Sequence, residues 1–231
     1  MSDGGNSHPY THTPMLSWAI RYRPIVDELR RLQPSYVLEV GSGPEGLSLM
    51  WSGRVIGTDL SFKRRPLHWP AVASGLSLPM ADRSVPVVVS CDMLEHIPPS
   101  LRQRAVGEMA RVADQHILLV FPSGQAASAI YQRLLHDMAP EIPSWLTEHI
   151  ENGLPDAATV QTWLEDQGWT TSVHWYESAE THRKMVLWEQ RGLGKLLSYT
   201  IMRAIGRWLG PRMPVPSGGE QLRVCISAFR R

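Results

Sequence analysis

The feature that most restricts the fold is the run Val37-Leu38-Glu39-Val40-Gly41-Ser42-Gly43-Pro44-Glu45-Gly46, followed by Val55-Ile56-Gly57-Thr58-Asp59-Leu60. A short β-favouring stretch that meets glycines at once is how a buried strand enters a tight turn, since glycine takes left-handed backbone without strain. Glycines there let a ligand approach the main chain. The next helix start offers unpaired N–H groups, and an acid ending the next strand accepts from both hydroxyls of a ribose. Together these describe an adenosine site. Gly41, Gly43 and Gly46 also satisfy the G-x-G-x-x-G dinucleotide pattern, which many loops meet by accident. Two details weigh against a dinucleotide. Such a site carries its acid about 20 residues on, after a helix whose dipole faces a pyrophosphate, whereas Asp59 follows Gly46 closely and leaves room for about two helical turns. Glu39 is poorly placed beside a pyrophosphate but suits an ammonium group, directly or through water.

Around this run the chain alternates strand and helix. Residues 54–59, 85–91 and 116–121 are apolar on both faces, as parallel strands usually are, and residues 45–51 and 99–112 between them read as helices. The pattern predicts a doubly wound α/β sheet with right-handed crossovers. After Pro122, residues 126–138 read as a helix and 140–155 as irregular. Asp156 is placed to cap a helix running to Gln167, with Gly168 as its stop. Two late strands, 169–177 and 221–229, are expected to pair antiparallel at the sheet edge, separated by a mostly helical insertion over 179–209 and a Pro/Gly loop over 211–219. Ahead of the sheet, residues 1 to about 14 are a polar lead-in, and Pro24 divides the segment from Leu16 onward into two short helices ending before Pro34. The 231 residues, 43% of them hydrophobic, suit a single domain. Its parts are a helical cover (1–34), a cofactor-binding core (35–122), a substrate-side cover (123–220) and a final strand (221–231).

In order and spacing, four segments over residues 37–122 resemble the small-molecule branch of the class I S-adenosylmethionine-dependent methyltransferases. Glu39-Val40-Gly41-Ser42-Gly43 is similar to their first motif and Asp59 to their ribose-binding acid. Leu76-Ser77-Leu78-Pro79-Met80-Ala81-Asp82 is similar to the segment leading into their fourth strand, and the stretch from Val87 to Ile97, with Cys91-Asp92-Met93-Leu94-Glu95-His96, to their post-strand motif. The resemblance implies a mostly parallel, seven-stranded Rossmann-like sheet with an antiparallel C-terminal edge. It also implies S-adenosylmethionine as cofactor, held by Glu39, Gly41, Ser42, Gly43, Asp59, Leu60, Ser74, Gly75, Leu76, Cys91, Asp92 and Met93. Three departures stand out. Glu45 occupies the third position of the tighter glycine spacing, with Gly46 one residue late; the first crossover helix is about one turn short; and Ser74 stands where an acid often contacts the adenine amino group. Gly75 and Leu76 would supply the backbone N–H and apolar wall that also hold adenine in the family.

A sulfonium methyl group is already activated, so in-line displacement mainly needs a nucleophile held close with water excluded. That chemistry requires no metal. His8 and His12 are four apart, but Pro9 argues against the helix that would bring them together, so no metal ligand set is read. For a hydroxyl acceptor a histidine is the usual base, and His96 and His149 are the candidate catalytic residues; packing with local hydrogen bonding is the competing role for each. Within 193–209, Leu193, Leu196, Leu197, Ile201, Ala204, Ile205 and Trp208 share one helical face, and Lys195, Arg203 and Arg207 the other. The apolar face is expected to pack on the sheet or on a dimer partner, with a cover over an apolar substrate or contact with anionic lipid as the alternatives. Trp145, Trp163, Trp169, Trp175 and Trp188 crowd the same half, as core or as walls of a substrate pocket.

The expected reaction is methyl transfer to an O or N atom of a small molecule or saccharide, including a lipid-linked one. A net charge of +1, and the lack of an Asn-Pro-Pro-Tyr-type sequence after the fourth strand, argue against a nucleic-acid acceptor. Two alternatives remain: an NAD(P)-dependent oxidoreductase on a related sheet, disfavoured by the short first helix and the lack of a Tyr-x-x-x-Lys pair, and a non-catalytic cofactor-binding partner subunit. Two distant cysteines give no disulfide framework, residues 1–14 lack the apolar core of a signal peptide, and no run of 18 apolar residues occurs. A cytoplasmic setting is the expectation.

Overall fold

A computed structural model describes residues 15–230; the lead-in with His8, Tyr10 and His12 lies outside the described residues. Seven strands, β1 (Val37–Val40), β2 (Val55–Asp59), β3 (Trp69–Val72), β4 (Val85–Cys91), β5 (Ala113–Pro122), β6 (Thr170–Ser178) and β7 (Gln221–Phe229), form one sheet in the order β3-β2-β1-β4-β5-β7-β6. The first five pair in parallel, and β7 lies antiparallel between β5 and β6. Strand order reverses between β1 and β4, so their connections leave in opposite directions and open a crevice beyond the carboxyl ends. Because β7 runs the other way, its first residues lie at that same end: Arg223 stands opposite Pro122 and Tyr176.

The central strands are buried on both faces. On one, Leu38, Val40 and Val88 pack against Ala105 and Met109 of α2 (Pro99–Val112) and Val160 and Leu164 of α5 (Ala157–Glu165). On the other, Val37, Val87 and Val89 pack against Ile25, Val26 and Leu29 of α1 (Leu16–Leu32) and Met202 of α7 (Gly192–Leu209). A third apolar cluster joins Tyr131 and Leu134 of α3 (Gly124–Met138), Leu146 of α4 (Ser144–Asn152) and Val186 of α6 (Ala179–Glu189). α3 and α6 both start at carboxyl ends, of β5 and β6, so this cluster roofs one half of the crevice. Asp156 caps α5 as expected, its side chain accepting from the Thr159 N–H at 2.8 Å.

Several expectations are corrected. Pro24 does not divide the first helix: α1 runs through it, with the row Trp18, Tyr22, Ile25, Val26 and Leu29 buried against the sheet side. The expected helix at 45–51 is a single 3₁₀ turn, Gly46–Leu49. The seventh strand, which the sequence pattern did not place, is β3, a largely exposed edge containing Pro70, tolerable there because an edge strand has one unpaired side. The stretch 140–155 holds α4, and 179–209 breaks into α6 and α7 at Gln190 and Arg191. The largest correction concerns α7. It packs through Gly194, Ser198, Met202 and Gly206, a narrow i, i+4 ridge that lets its backbone come close: a Cβ on Gly206 would lie 3.4 Å from the Leu49 side chain. Leu193, Leu196, Leu197, Ile205 and Trp208 are therefore exposed, which excludes packing on the sheet and leaves a dimer partner, a substrate cover or lipid for this face. Nor do its cations form one solvated face, since Arg203 reaches Glu45 at 3.5 Å and Arg207 donates to the Ser48 carbonyl at 3.1 Å. Among the described residues no helix is long and apolar enough to cross a membrane.

Candidate active site

The glycine loop is shaped by what lies behind it. Gly41, Gly43 and Gly46 have φ of 78°, 55° and 48°, a backbone that glycine adopts without strain. A Cβ on Gly46 would collide with Glu39 Oε2, so the glycine that comes one residue late makes room for the Glu39 carboxylate. Glu39 is wholly buried and does not stand free for an ammonium group; it accepts from the Tyr22 hydroxyl at 2.7 Å and the Leu47 N–H at 2.8 Å. Burial, only partly offset by those hydrogen bonds, raises its pKa to about 7. A Cβ on Gly41 would meet Met93 Cγ at 2.6 Å, and one on Gly75 would lie 3.3 Å from Val40 and 3.7 Å from Met93 Cε. The Met93 side chain thus packs closely over Gly41 and beside Gly75, next to β1. Asp59 ends β2 with Oδ2 accepting from the Gly43 N–H at 2.9 Å and Oδ1 from the Leu60 N–H at 2.7 Å. Ser74 closes a turn, its hydroxyl accepting from the Leu76 N–H at 3.1 Å, while the Leu60 side chain is exposed. These residues bring the Asp59 carboxylate, the glycine loop and the Ser74–Leu76 turn together at the carboxyl ends of β1 and β2.

His68 escaped the sequence reading. Its buried ring lies 3.2 Å from Ser42 Oγ and fills the space beside Gly57, where any Cβ would collide with it. Gly57 inside a strand was the available signal, because an isolated strand glycine often marks a close approach.

Across the switch point lies a cavity of about 330 Å³, lined by Gly41, Ser42, Cys91 and Asp92 on the sheet side. Trp18, Arg21 and Tyr22 of α1, Tyr131 of α3, Trp145 and His149 of α4, His182 and Glu189 of α6, and Arg223 of β7 complete it, together with His96. Asp59, Leu60, Ser74, Gly75 and Leu76 lie outside it, on the other half of the carboxyl edge. Burial pushes the Cys91 thiol well up, so it stays neutral.

A buried ion network crosses this cavity. Arg223 donates to both oxygens of Asp92, at 3.1 and 2.7 Å, and to Glu177; Arg21 reaches Asp92 at 3.2 Å; and Glu177 pairs with His182 Nδ1 at 2.8 Å. Burial alone would raise both acids. Arg223 and Arg21 nevertheless hold Asp92 well below its ordinary range, and Arg223 with His182 holds Glu177 at about 2. Both acids have left-handed backbone, φ 51° at Asp92 and 66° at Glu177, an arrangement that persists only where the surroundings enforce it. Asp92 was expected among the cofactor residues; its carboxylate is turned towards Arg223 and Arg21. Neither arginine was singled out from the sequence, although a charge between Leu222 and Val224 in an apolar strand was a visible irregularity. Glu189 ties the cover together: it accepts from the Ser17 N–H and hydroxyl and from the Ser198 hydroxyl, joining α1, α6 and α7.

The two histidines picked out from the sequence meet. His96, in the 3₁₀ turn Leu94–His96, and His149 of α4 lie with Nε2 atoms 3.4 Å apart. His96 Nδ1 is 2.6 Å from Glu148 Oε2. His149 is buried against Tyr131 and Trp145, and burial, reinforced by His96, lowers its pKa well below the usual value, so it is neutral near pH 7. Of the five tryptophans noted, only Trp145 lines the cavity. Trp169 is buried beneath the Arg230 guanidinium, Trp163 packs on the core, and Trp175 and Trp188 are exposed.

Residues 38–121 match the family model for a methyltransferase domain. No curated protein matches the chain in sequence. Solved structures share its fold at low identity. One, described as a methyltransferase from an antibiotic biosynthesis pathway of Anabaena variabilis, is 15% identical over 90% of this chain and 98% of its own, with a TM-score of 0.53. Magnesium protoporphyrin IX methyltransferase of Synechocystis, solved with S-adenosylhomocysteine, is 13% identical over 90% and 81%, at 0.52. A phosphoethanolamine N-methyltransferase of Haemonchus contortus is 12% identical over 92% and 57%, at 0.54. The domain match spans the glycine loop, Asp59 and the post-β4 turn, so residues 38–121 carry a methyltransferase domain, and the sheet as a whole has the fold of the methyltransferases it resembles.

Proposed function

We propose that the chain methylates an O or N atom of a small molecule or saccharide held in the 330 Å³ cavity. One observation carries this reading: a single, partly open cavity is lined both by Gly41 and Ser42 of the glycine loop and by the His96–His149 pair. Its volume is at the lower end of the range for small-molecule sites. In this reading Asp59 takes the ribose, Gly75 and Leu76 flank the adenine, and Cys91 faces the methionine part. The cofactor supplies an activated methyl group. The chain's own residues hold the acceptor, exclude water beneath α1, α3, α4 and α6, and handle a proton. His149, neutral and braced by aromatic rings, accepts the proton of an acceptor hydroxyl at Nε2, with His96 and Glu148 as the next positions along the relay.

Calorimetric titration with S-adenosylmethionine, its demethylated product and NADH tests the cofactor side. The first two should bind and NADH should not. Asp59→Ala should weaken S-adenosylmethionine by about 1.5–3 kcal/mol, the range for hydrogen bonds to a charged group. Unchanged affinity in a folded variant would place the ribose elsewhere. Transfer of labelled methyl groups to a panel of hydroxyl and amine acceptors separates an enzyme from a non-catalytic partner subunit.

A further inference from the structure

Glu95 is wholly buried in the turn after β4, and neither carboxylate oxygen has a hydrogen-bond partner. A buried acid left this way is unusual, since buried polar groups are almost always paired. The nearby cations are engaged elsewhere. Arg102 donates to the carbonyls of Leu94, Ile97, Asn152 and Gly153, and Arg21 and Arg223 are held by Asp92 and Glu177. The group facing Glu95 is His149, its Nε2 4.0 Å from Oε1. The same Nε2 lies 3.4 Å from His96 Nε2, and two imidazole nitrogens so placed share either a proton or a cation. Glu148, at 2.6 Å from His96 Nδ1, fixes that nitrogen as the protonated one and leaves Nε2 with its lone pair, the usual way a carboxylate orients a metal-binding imidazole.

We propose that Glu95, His96 and His149 form a binding site for one divalent transition-metal ion. One donor atom from each lies within 4.8 Å of the other two. Ligand atoms held about 2.0–2.2 Å from a tetrahedral zinc lie roughly 3.3–3.6 Å apart, so the two imidazole nitrogens at 3.4 Å are already in place and the Glu95 carboxylate, 4.0 Å from His149, has to swing in by about an ångström or less. Two imidazoles and one carboxylate favour zinc, manganese, iron or cobalt over magnesium and calcium. Three protein ligands leave further positions open, and His96 and His149 both line the cavity, so an acceptor oxygen is the natural completing ligand. That last step rests on the function proposed above and makes His149 a ligand in the loaded protein; the ion site itself does not depend on it. No ligand set was read from the sequence because His96 and His149 are 53 residues apart.

Chelator-stripped full-length protein, titrated with Zn²⁺ by calorimetry and with Co²⁺ by visible absorption, tests the site. One ion per chain is expected. His149→Asn and Glu95→Gln should each weaken it at least about 100-fold, and Glu148→Gln, acting through His96, by about 10–100-fold. The double variant His8→Ala/His12→Ala should bind the ion normally, and titration with S-adenosylmethionine reports whether each variant is folded. Unchanged ion affinity in Glu95→Gln and His149→Asn, or loss in the His8/His12 variant, overturns the site. Should either buried variant fail to fold, unchanged ion affinity in Glu148→Gln, which alters a partly exposed side chain, overturns it. Stripped protein that binds S-adenosylmethionine but no ion refutes this site alone; protein that binds the ion but not S-adenosylmethionine refutes the cofactor reading alone.

Discussion

Replacing Arg223 by Met tests whether the buried ion network holds the acceptor side together. Arg223 is 2% exposed and its guanidinium serves two buried carboxylates, Asp92 and Glu177. Methionine has similar length and no charge, so the change removes the cation the two acids share, leaving Asp92 with Arg21 alone and Glu177 with His182 alone, without opening a large void. Breaking a buried pair from one side costs about 3–5 kcal/mol. At about 2–4 °C per kcal/mol for a chain of this size, the melting temperature should fall by roughly 6–20 °C. The pH dependence is the sharper criterion. In the wild type both acids have depressed pKa values, Glu177 at about 2, so their stabilisation is present above the ordinary carboxylate range and is lost as pH falls towards 2. In Arg223→Met burial prevails and both values rise. The deficit relative to wild type should then be full at pH 7.5 and shrink as pH falls through about 5, where the under-compensated acids protonate. Urea unfolding monitored by tryptophan fluorescence at pH 7.5 and 5 measures both effects, and adding Glu177→Gln should restore part of the loss by removing one under-compensated buried charge. A deficit below about 1 kcal/mol, or one of equal size at the two pH values, would refute the reasoning.

Gly41→Val should abolish S-adenosylmethionine binding in calorimetry, because φ is 78° there and a Cβ would press on Met93 at 2.6 Å; a folded variant with normal affinity rules out the proposed cofactor site. Glu39, with its pKa raised to about 7 when folded, is favoured in its protonated form, so wild-type stability should decline relative to Glu39→Gln by up to about 3 kcal/mol between pH 4.5 and 7. Parallel denaturation profiles for the two proteins would show that Glu39 titrates normally. His149→Ala and Trp145→Ala should keep S-adenosylmethionine affinity within about threefold, or 0.6 kcal/mol, yet lower turnover once an acceptor is in hand. Full turnover in both would move the acceptor out from under α4.

Local chemistry was enough to read one half of the site. Strand β1, the glycine turn and Asp59 are contiguous or one short crossover apart, so residue type and spacing carried the strand–turn–strand geometry that brings Asp59 to the glycine loop. Burial on both faces likewise marked β2, β4 and β5 as parallel, and Asp156 announced the start of α5. The acceptor side depends on partners distant in sequence. Arg21, Asp92, Glu177 and Arg223 come from four elements and meet only because β7 enters the sheet antiparallel, which brings its first residues to the carboxyl ends. His96 and His149 were each visible as titratable groups, but their 3.4 Å approach and the orphaned Glu95 beside them result from α4 docking against the post-β4 turn. At α7 a period-3.6 apolar stripe was present, but the small residues Gly194, Ser198 and Gly206 controlled the approach of the helix, so the stripe does not face the sheet. Residue type and spacing determine which groups the chain offers; close packing of helices on the twisted sheet decides which of those groups face one another, and that is a property of the whole fold.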